Sequence, residues 1–237
     1  MERTRGYGEA CAAAHALDLV GERWALLVVR ELVFGPKRFS DLRAGLPHIG
    51  PNRLSERLRS LERSGIVMRR RLGPPVGSAV YALTEWGQRL QPVLVELGRW
   101  GRMSPSRDLE AHLSVDALML ALYGDFDPEL AGDLSATWTL HFGTDAFTIR
   151  AADGHLDIHR GEDADADAAV STDPATFAAV LVHRRTLNDA LAAGDLTVTG
   201  DHDTVRALLA CVPRPDLAGS PVQTNDDESR DGQPAHP

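Results

Sequence analysis

A short basic segment carries the side chains with the most evident chemical use. Residues 51–63 read PNRLSERLRSLER, and Leu54, Leu58 and Leu61 recur in them at helical spacing. A helix of this kind buries its leucine stripe and presents a polar, mostly basic face. Amide, hydroxyl and guanidinium groups on such a face can hydrogen-bond to base edges in a DNA major groove. The alternative interpretation is a solvated charged surface.

The flanking segments favour DNA binding. Ser40 is placed to cap a short helix over residues 41–44, and a turn then leads into the basic helix, which is the order of a helix-turn-helix. Residues 66–72 and 79–83 predict a hairpin after this helix, and a hairpin there is a wing. The predicted base-reading residues are Asn52, Arg53, Ser55, Glu56 and Arg59. Arg38, Arg69, Arg70 and Arg71 are expected on phosphates, and Ser40 is also expected among the DNA-binding residues.

The charge of the chain is divided unevenly along its 237 residues. Residues 1–107 hold 18 Lys and Arg against 10 Asp and Glu, a net charge of +8, whereas residues 108–237 carry a net charge of −17. Attraction to phosphate therefore belongs to the first part, and the acidic part should repel DNA. The uneven charge and the length of the chain predict two domains.

The remaining composition excludes several classes of protein. The two cysteines lie 200 positions apart, which fits neither a disulfide framework nor a zinc site. No apolar run reaches the ~18 residues of a membrane span, so a cytoplasmic protein with no membrane contact is expected. Acidic residues 162–167 and the His155 and His159 pair lack the spacing of metal ligands, and no serine has a catalytic partner. We therefore expect no metal, no cofactor and no enzyme activity.

Three further helices are predicted in the first part, over residues 11–20, 23–34 and 85–102. The last is longer than a winged-helix core requires, and one of its faces is apolar. That face is expected to pair with a second copy of the chain, together with the N-terminal helix. Its residues are Leu90, Val93, Leu94, Leu97 and Trp100.

Residues 1–103 resemble the HxlR-type winged-helix transcription regulators. The resemblance depends on Cys11 with ALDLVGERW at 16–24, LVVREL at 27–32, GPKRFSDL at 35–42, LSERLRSLERSG at 54–65 and YALTEWG at 81–87. It implies a homodimer whose terminal helices pair and which binds double-stranded DNA at a pseudo-palindromic operator. Some members sense oxidants through a cysteine in the first helix, and Cys11 stands at that place; the alternative is a small buried side chain. The wing tip, residues 73–78, lacks the charged residues expected from the family. Minor-groove contact is therefore expected from Arg69, Arg70 and Arg71 at the base of the wing rather than from its tip.

The second part alternates sheet and helix signals and is predicted to be α+β. A helix over 115–123, capped by Ser114, precedes strands at 136–142, 146–150 and 155–159, expected to be antiparallel. Residues 168–172 are a candidate fourth strand. Helices over 174–182 and 186–193, a strand over 196–199 and a last helix capped by Asp201 and extending to Cys211 follow.

Residues 113–212 resemble the sterol carrier protein type 2 fold through DPATF at 173–177 and AGDLTVTGD at 193–201. That fold implies an apolar tunnel for a small hydrophobic ligand; the alternative is that the same side chains form an ordinary core. The residues expected to line the tunnel are Leu118, Leu122, Trp138, Leu140, Phe142, Phe147, Ile149, Phe177 and Leu181.

The expected fold class is a mainly α winged helix-turn-helix domain followed by an α+β sterol-carrier-like domain. The boundaries are 1–103 for the DNA-binding and dimerisation domain, 104–112 for a linker, 113–213 for the ligand-binding domain and 214–237 for a disordered tail. The expected function is a homodimeric DNA-binding regulator modulated by a small hydrophobic ligand. The alternatives are a redox regulator acting through Cys11, and a hydrophobic-ligand carrier with a vestigial winged helix.

Overall fold

The computed structural model describes residues 6–71, 79–108 and 111–213. Within them, residues 6–108 are called the first half below and residues 111–213 the second half. The predicted wing tip (73–78), part of the predicted linker (104–112) and the predicted tail (214–237) lie outside the described residues.

The first half is built from short helices and one hairpin. Its elements are α1 Ala12–Val20, α2 Ala25–Arg30, α3 Phe39–Gly45, α4 Pro51–Arg63, β1 Val67–Arg71, β2 Ala79–Leu83, α5 Glu85–Gln88 and α6 Gln91–Arg102. The hairpin is antiparallel, with Arg69 opposite Tyr81. Lys37 forms an isolated antiparallel β-bridge with Tyr81 on the other side of β2, so a third extended segment pairs with the hairpin.

Two helix predictions in the first half are wrong in their extent. The helix predicted over 85–102 ends at Gln88 and restarts at Gln91, because Pro92 has no N–H and its ring would collide with the carbonyl of Gln88. The helix predicted over 23–34 is reduced to α2. Trp24 takes a left-handed backbone with φ of 78° directly before it, which prevents helix from beginning there.

The second half pairs a mixed sheet with helices. Its elements are α7 Val115–Asp125, α8 Pro128–Ala131, β3 Ala136–Phe142, β4 Asp145–Ala152, β5 His155–Arg160, β6 Ala168–Thr172, α9 Pro174–Leu181, α10 Leu187–Ala193, β7 Leu196–Gly200 and α11 His202–Ala210. The strand order is β5-β4-β3-β6-β7. The three antiparallel strands are confirmed, while β6 joins β3 in parallel and makes the sheet mixed.

The sheet buries one face and leaves the other polar. Trp138, Leu140 and Phe147 point into the core under the helices, whereas His141 and Arg150 lie on the opposite face, as the period-2 geometry of a strand requires. The predicted caps are confirmed at Ser114 and Asp201, whose side chains accept backbone N–H groups. Asp173 and Thr186 cap α9 and α10 in the same way, so the helix predicted over 186–193 begins one residue later.

The two halves share one continuous core. The rings of Phe34 and Phe147 meet edge to face with centroids 6.2 Å apart, and the Phe34 carbonyl accepts the Arg160 N–H at 3.3 Å. Arg102 of α6 donates to both carboxylate oxygens of Asp125 in α7, at 2.5 and 2.6 Å. None of the described helices combines the length and apolarity that crossing a membrane requires.

Candidate nucleic-acid interface

Helix α4 has the two faces expected from its sequence. Leu54, Leu58 and Leu61 are buried in the core of the first half and fix the helix there. The predicted base-reading side chains are on the other side, where Asn52, Arg53, Glu56 and Arg59 are exposed and Ser55 is half-buried. The structure therefore brings these five residues together on one accessible surface.

The start of α4 lies beside an open depression of about 540 Å³. Pro51 occupies the first turn, where its missing N–H has no cost, and the remaining free N–H groups give this end a partial positive charge. The guanidinium of Arg23 stacks 5.3 Å above the Trp24 ring at the rim. The depression is lined by Arg23, Trp24, His48, Gly50, Pro51, Asn52 and Arg53.

The helix before α4 begins earlier than predicted. Its N-cap is Arg38, whose N–H donates to the Asp41 carboxylate at 3.1 Å, and Ser40 lies within the first turn. The prediction of Ser40 as the N-cap is therefore wrong. The Ser40 hydroxyl instead donates to the same carboxylate at 2.9 Å. Arg38 and Ser40 remain exposed on the surface, as DNA contacts would have to be.

The wing arginines are all exposed but do not form one patch. Arg69 and Arg71 project from one face of β1 and Arg70 from the other, because successive side chains of a strand alternate. The Arg70 Nε donates to the Met68 sulfur at 3.1 Å. One stretch of DNA backbone can therefore be contacted by Arg69 and Arg71 together, or by Arg70, more easily than by all three side chains.

The nine residues predicted to line a ligand tunnel lie together in the core of the second half. All are buried, and several contact one another: the rings of Phe142 and Phe177 meet edge to face with centroids 5.6 Å apart. The indole N–H of Trp138 donates to the Thr204 hydroxyl at 3.1 Å, which joins β3 to α11. Within the described residues, no group of three or more His, Cys, Asp or Glu is placed to hold a metal ion.

Comparison with known proteins matches the two halves separately. The family model of the HxlR-like helix-turn-helix covers residues 19–108, and that of the alkyl sulfatase C-terminal region covers residues 104–218. YvaP, an HTH-type transcriptional regulator of Bacillus subtilis, is 39% identical over 36% of this chain and 79% of its own length. The chain belongs to the HxlR-like helix-turn-helix family.

A second sequence relative agrees with this assignment. The HTH-type transcriptional regulator YodB of Bacillus subtilis is 40% identical over 36% of this chain and 76% of its own length. The solved structure of reduced YodB covers 41% of this chain and 97% of that protein, with 35% identity and a TM-score of 0.37. As an HxlR-like protein, this chain is a DNA-binding transcriptional regulator, and its named relatives are HTH-type transcriptional regulators. The sterol-carrier identity expected for the second half is not confirmed, since the matching family model there is a different one.

Cys11 of this HxlR-like protein is exposed, so the interpretation as a small buried side chain is wrong. It is the N-cap residue of α1, although its thiol makes no capping hydrogen bond of normal geometry. The N–H groups of Ala14 and Ala13 nevertheless face the sulfur and lower the pKa of the Cys11 thiol. Cys211 differs, because burial and the nearby charge of Asp127 raise the pKa of its thiol.

Three residues in and around α4 take places that the sequence did not predict. Arg57 looks like a member of the basic face, yet it is buried, and its guanidinium lies 3.3 Å from the Glu22 carboxylate. Arg23 and His48 were not predicted at the start of α4. Helical spacing could have identified Arg57, which follows Leu54 by three positions and precedes Leu58; the placement of Arg23 and His48 depends on tertiary structure.

Proposed function

We propose that the chain binds a pseudo-palindromic operator as a homodimer and that the N-terminal part of α4 enters the major groove. The observation that carries the proposal is the exposed polar face of α4 above its buried leucine seam. Arg53 and Arg59 make no ion pair with any described residue, so their guanidinium groups are available for guanine edges. Asn52 suits adenine, and Glu56 can accept from cytosine.

Contacts with the DNA backbone are assigned to the surfaces on either side of α4. Arg38 and Ser40 lie at the start of α3, and the wing arginines Arg69, Arg70 and Arg71 lie beyond the end of α4. Basic and hydroxyl groups at such positions fix the orientation of the protein on the duplex without reading sequence. The proposed domain boundaries remain 1–103, 104–112, 113–213 and 214–237.

An exposed apolar row on α5 and α6 supports the dimer. Val93, Leu97 and Trp100 recur at helical spacing on α6, Trp86 is exposed on α5, and Trp100 is 70% exposed. Leu90 and Leu94 were predicted on the same pairing face, but they pack in the core of the chain itself. A contiguous apolar surface of this kind is characteristic of a protein interface. Leu17 of α1 is also exposed, and the N-terminal helix is proposed to contribute to the interface. Pairing two copies there gives two α4 helices, which must be about one duplex turn apart to reach both half-sites.

The second half is proposed to bind a small hydrophobic molecule and to modulate DNA affinity. The buried sheet face and the covering helices supply an apolar lining, and a sterol-carrier-like fold is part of this proposal. The rings of Phe142 in the sheet and Phe177 in α9 contact each other, so a guest placed between them requires α9 to move away from the sheet. That requirement links occupancy to a change of structure, which modulation of DNA affinity needs.

The test is binding to a labelled duplex that carries the promoter of the chain's own gene. We expect the logarithm of the affinity to fall linearly with the logarithm of salt concentration, as phosphate contacts require. At one fixed salt concentration, saturated fatty acids and steroids are then added as hydrophobic probes. Salt-insensitive or absent binding would support the carrier alternative, whereas DNA binding unchanged by any probe would remove only the ligand proposal.

A second candidate function is redox regulation through Cys11. Exposure at the N-terminus of α1 together with a lowered thiol pKa is the combination that makes a cysteine reactive. In this case a mild oxidant would change DNA affinity, and Cys11→Ser would abolish that response without changing affinity under reducing conditions. An identical oxidant response in Cys11→Ser would exclude this function.

A further inference from the structure

A buried ion cluster joins the second half to the DNA-binding elements of the first. The Lys37 ammonium donates to the Glu31 carboxylate at 2.7 Å and also to the Asp116 carboxylate. The side chains of Lys37, Glu31 and Asp116 are 7%, 0% and 2% exposed. Glu31 follows α2 in the first half, and Asp116 lies in the first turn of α7 in the second. One ammonium is thus held between carboxylates from the two halves.

The second half holds Asp116 from its other side. Arg160, the last residue of β5, donates to both Asp116 oxygens at 2.7 and 2.6 Å and to the Asp145 carboxylate at 2.5 Å. Its guanidinium also stacks 4.5 Å above the Phe147 ring. Asp116 is therefore shared between a cation of its own half and a cation of the first half.

The Glu31 carboxylate is fixed equally closely. Arg30 donates to it at 2.8 Å, and the Ser114 hydroxyl, from the N-cap of α7, donates at 2.6 Å. The carboxylate also presses against the Cα of Gly45, the last residue of α3, so closely that a Cβ there would collide with it. Both ends of α3 are thus close to the cluster, since Lys37 lies just before the helix.

The electrostatics show why the partners depend on one another. Burial raises the pKa of Asp116, whereas Lys37 and Arg30 outweigh the effect of burial at Glu31 and hold the pKa of that carboxyl below its ordinary value. An ionised Asp116 is therefore costly unless both Lys37 and Arg160 stay in place. Removal of one partner leaves an uncompensated buried charge, which a protein relieves by rearranging.

Lys37 also belongs to the wing. Its N–H donates to the Tyr81 carbonyl at 2.9 Å, and its carbonyl accepts the Tyr81 N–H at 2.8 Å. Tyr81 is the partner of Arg69 across the hairpin, and the residue after Lys37 is Arg38, the N-cap of α3. The side chain of Lys37 therefore lies in the contact between the halves, while its backbone positions the wing and the start of the helix-turn-helix.

We propose that Asp116 is a positioning residue for DNA binding, which acts through Lys37 to fix the wing and α3 in the arrangement that fits the duplex. This inference rests on the proposed DNA-binding function and names the link by which the second half influences it. A displacement of α7 or of the end of β5 changes the surroundings of Lys37 directly. The link alters DNA affinity to the extent that such a displacement changes the position of the wing and of α3.

A second ion pair between the halves provides a matched control. Asp125 lies in the last turn of the same helix α7 and accepts two hydrogen bonds from Arg102. That pair connects α7 to α6 and not to the wing or to α3. Asp116→Asn and Asp125→Asn therefore make the same chemical change in the same helix. Each variant removes an ion pair between the halves, but only Asp116→Asn changes the surroundings of Lys37.

The experiment measures both variants in the full chain. Affinity for the labelled promoter duplex is determined at one salt concentration, and hydrogen exchange is followed at the backbone amides of Lys37 and Tyr81. We expect Asp116→Asn to weaken DNA binding by about 5- to 150-fold and to accelerate exchange at both amides. Asp125→Asn should change affinity by less than about twofold, within the usual range for independent sites. In a Lys37→Met background, Asp116→Asn should cause no further loss, because both changes remove the same link.

Equal losses in the two aspartate variants, or unchanged affinity in a folded Asp116→Asn, would overturn the proposal. If Asp116→Asn does not fold, the wild-type chain decides the question: addition of the duplex must slow exchange at residues 114–118 as well as at Tyr81, and unaltered exchange at 114–118 overturns it. If the wild-type chain binds no duplex, the proposed function fails, and the exchange rates in the two variants still show whether Asp116 holds the wing.

Discussion

Truncation of Arg59 is the sharpest test of the α4 surface. Arg59 is exposed on the polar face and has no ion pair among the described residues, so Arg59→Ala should change the free energy of unfolding by no more than about 0.5 kcal/mol. Loss of one bidentate arginine contact to a base costs about 1–3 kcal/mol of binding free energy. A dimer carries the change twice, so the loss for the operator complex is about 2–6 kcal/mol, or at least about 30-fold in affinity.

The assay is fluorescence anisotropy with the promoter duplex and with the same duplex carrying a scrambled half-site. Arg59→Ala should lose most of its preference for the intact duplex. Arg150→Ala is the control, because Arg150 is also an exposed arginine but lies on the outer face of the second-half sheet. A loss below about threefold in Arg59→Ala, or an equal loss in Arg150→Ala, would refute base reading by this face of α4.

Three further predictions concern assembly, thiol chemistry and stability. Leu97→Glu should dissociate the proposed dimer in sedimentation equilibrium, whereas Leu130→Glu, at a similarly exposed leucine of the second half, should not; a dimeric Leu97→Glu would contradict the assigned interface. Cys11 should react with iodoacetamide faster than Cys211, and the increase of its rate with pH should begin at a lower pH than for Cys211, as followed by mass spectrometry; the reverse order would contradict the assigned thiol environments. Asp173→Ala removes an N-cap and should lower the free energy of unfolding by about 1 kcal/mol at neutral pH in denaturant titrations. The hydrogen bond from Thr176 lowers the pKa of Asp173, so this contribution is present above the ordinary pKa of aspartate and is lost as the pH falls through the folded value; a difference that grows in acid would contradict it.

Local sequence signals predicted the parts of the fold that local physics determines. The leucine spacing of α4, the alternation of β3 and the caps at Ser114 and Asp201 are set within a few residues, and the structure places these elements where they were expected. The break before α6 also had a local cause in Pro92, but the apolar spacing on both sides of the proline favoured a continuous helix. The hydrophobic spacing predicted a continuous helix there and the proline predicted a break, and the proline determined the structure.

The parts that could not be predicted depend on distant residues. Lys37 and Asp116 are separated by 79 positions, and Asp116 and Arg160 by 44. Each is an ordinary surface residue type, and the charge of the acidic second part predicted only that this part should repel DNA. Only the contact between the halves buries these charges, because each finds a partner that compensates its desolvation. The parallel pairing of β6 with β3 also could not be predicted from local sequence, because it depends on the path that the chain takes between β5 and β6.

The distribution of paired and unpaired cations bears on how an acidic chain binds DNA. Lys37, Arg102 and Arg160 are neutralised by carboxylates of the second half, so they add little to attraction for phosphate. Arg53, Arg59 and Arg63 of α4 and the wing arginines stay exposed, and none of them pairs with a described carboxylate of the second half. The field of carboxylates that do not contact them is screened by salt over about 10 Å. The ion pairs between the halves thus hold the acidic half against the basic one while they leave the α4 surface unneutralised. For this reason the overall net charge of −9 does not exclude DNA binding, and the slope of affinity against salt should reflect the exposed arginines rather than the total count.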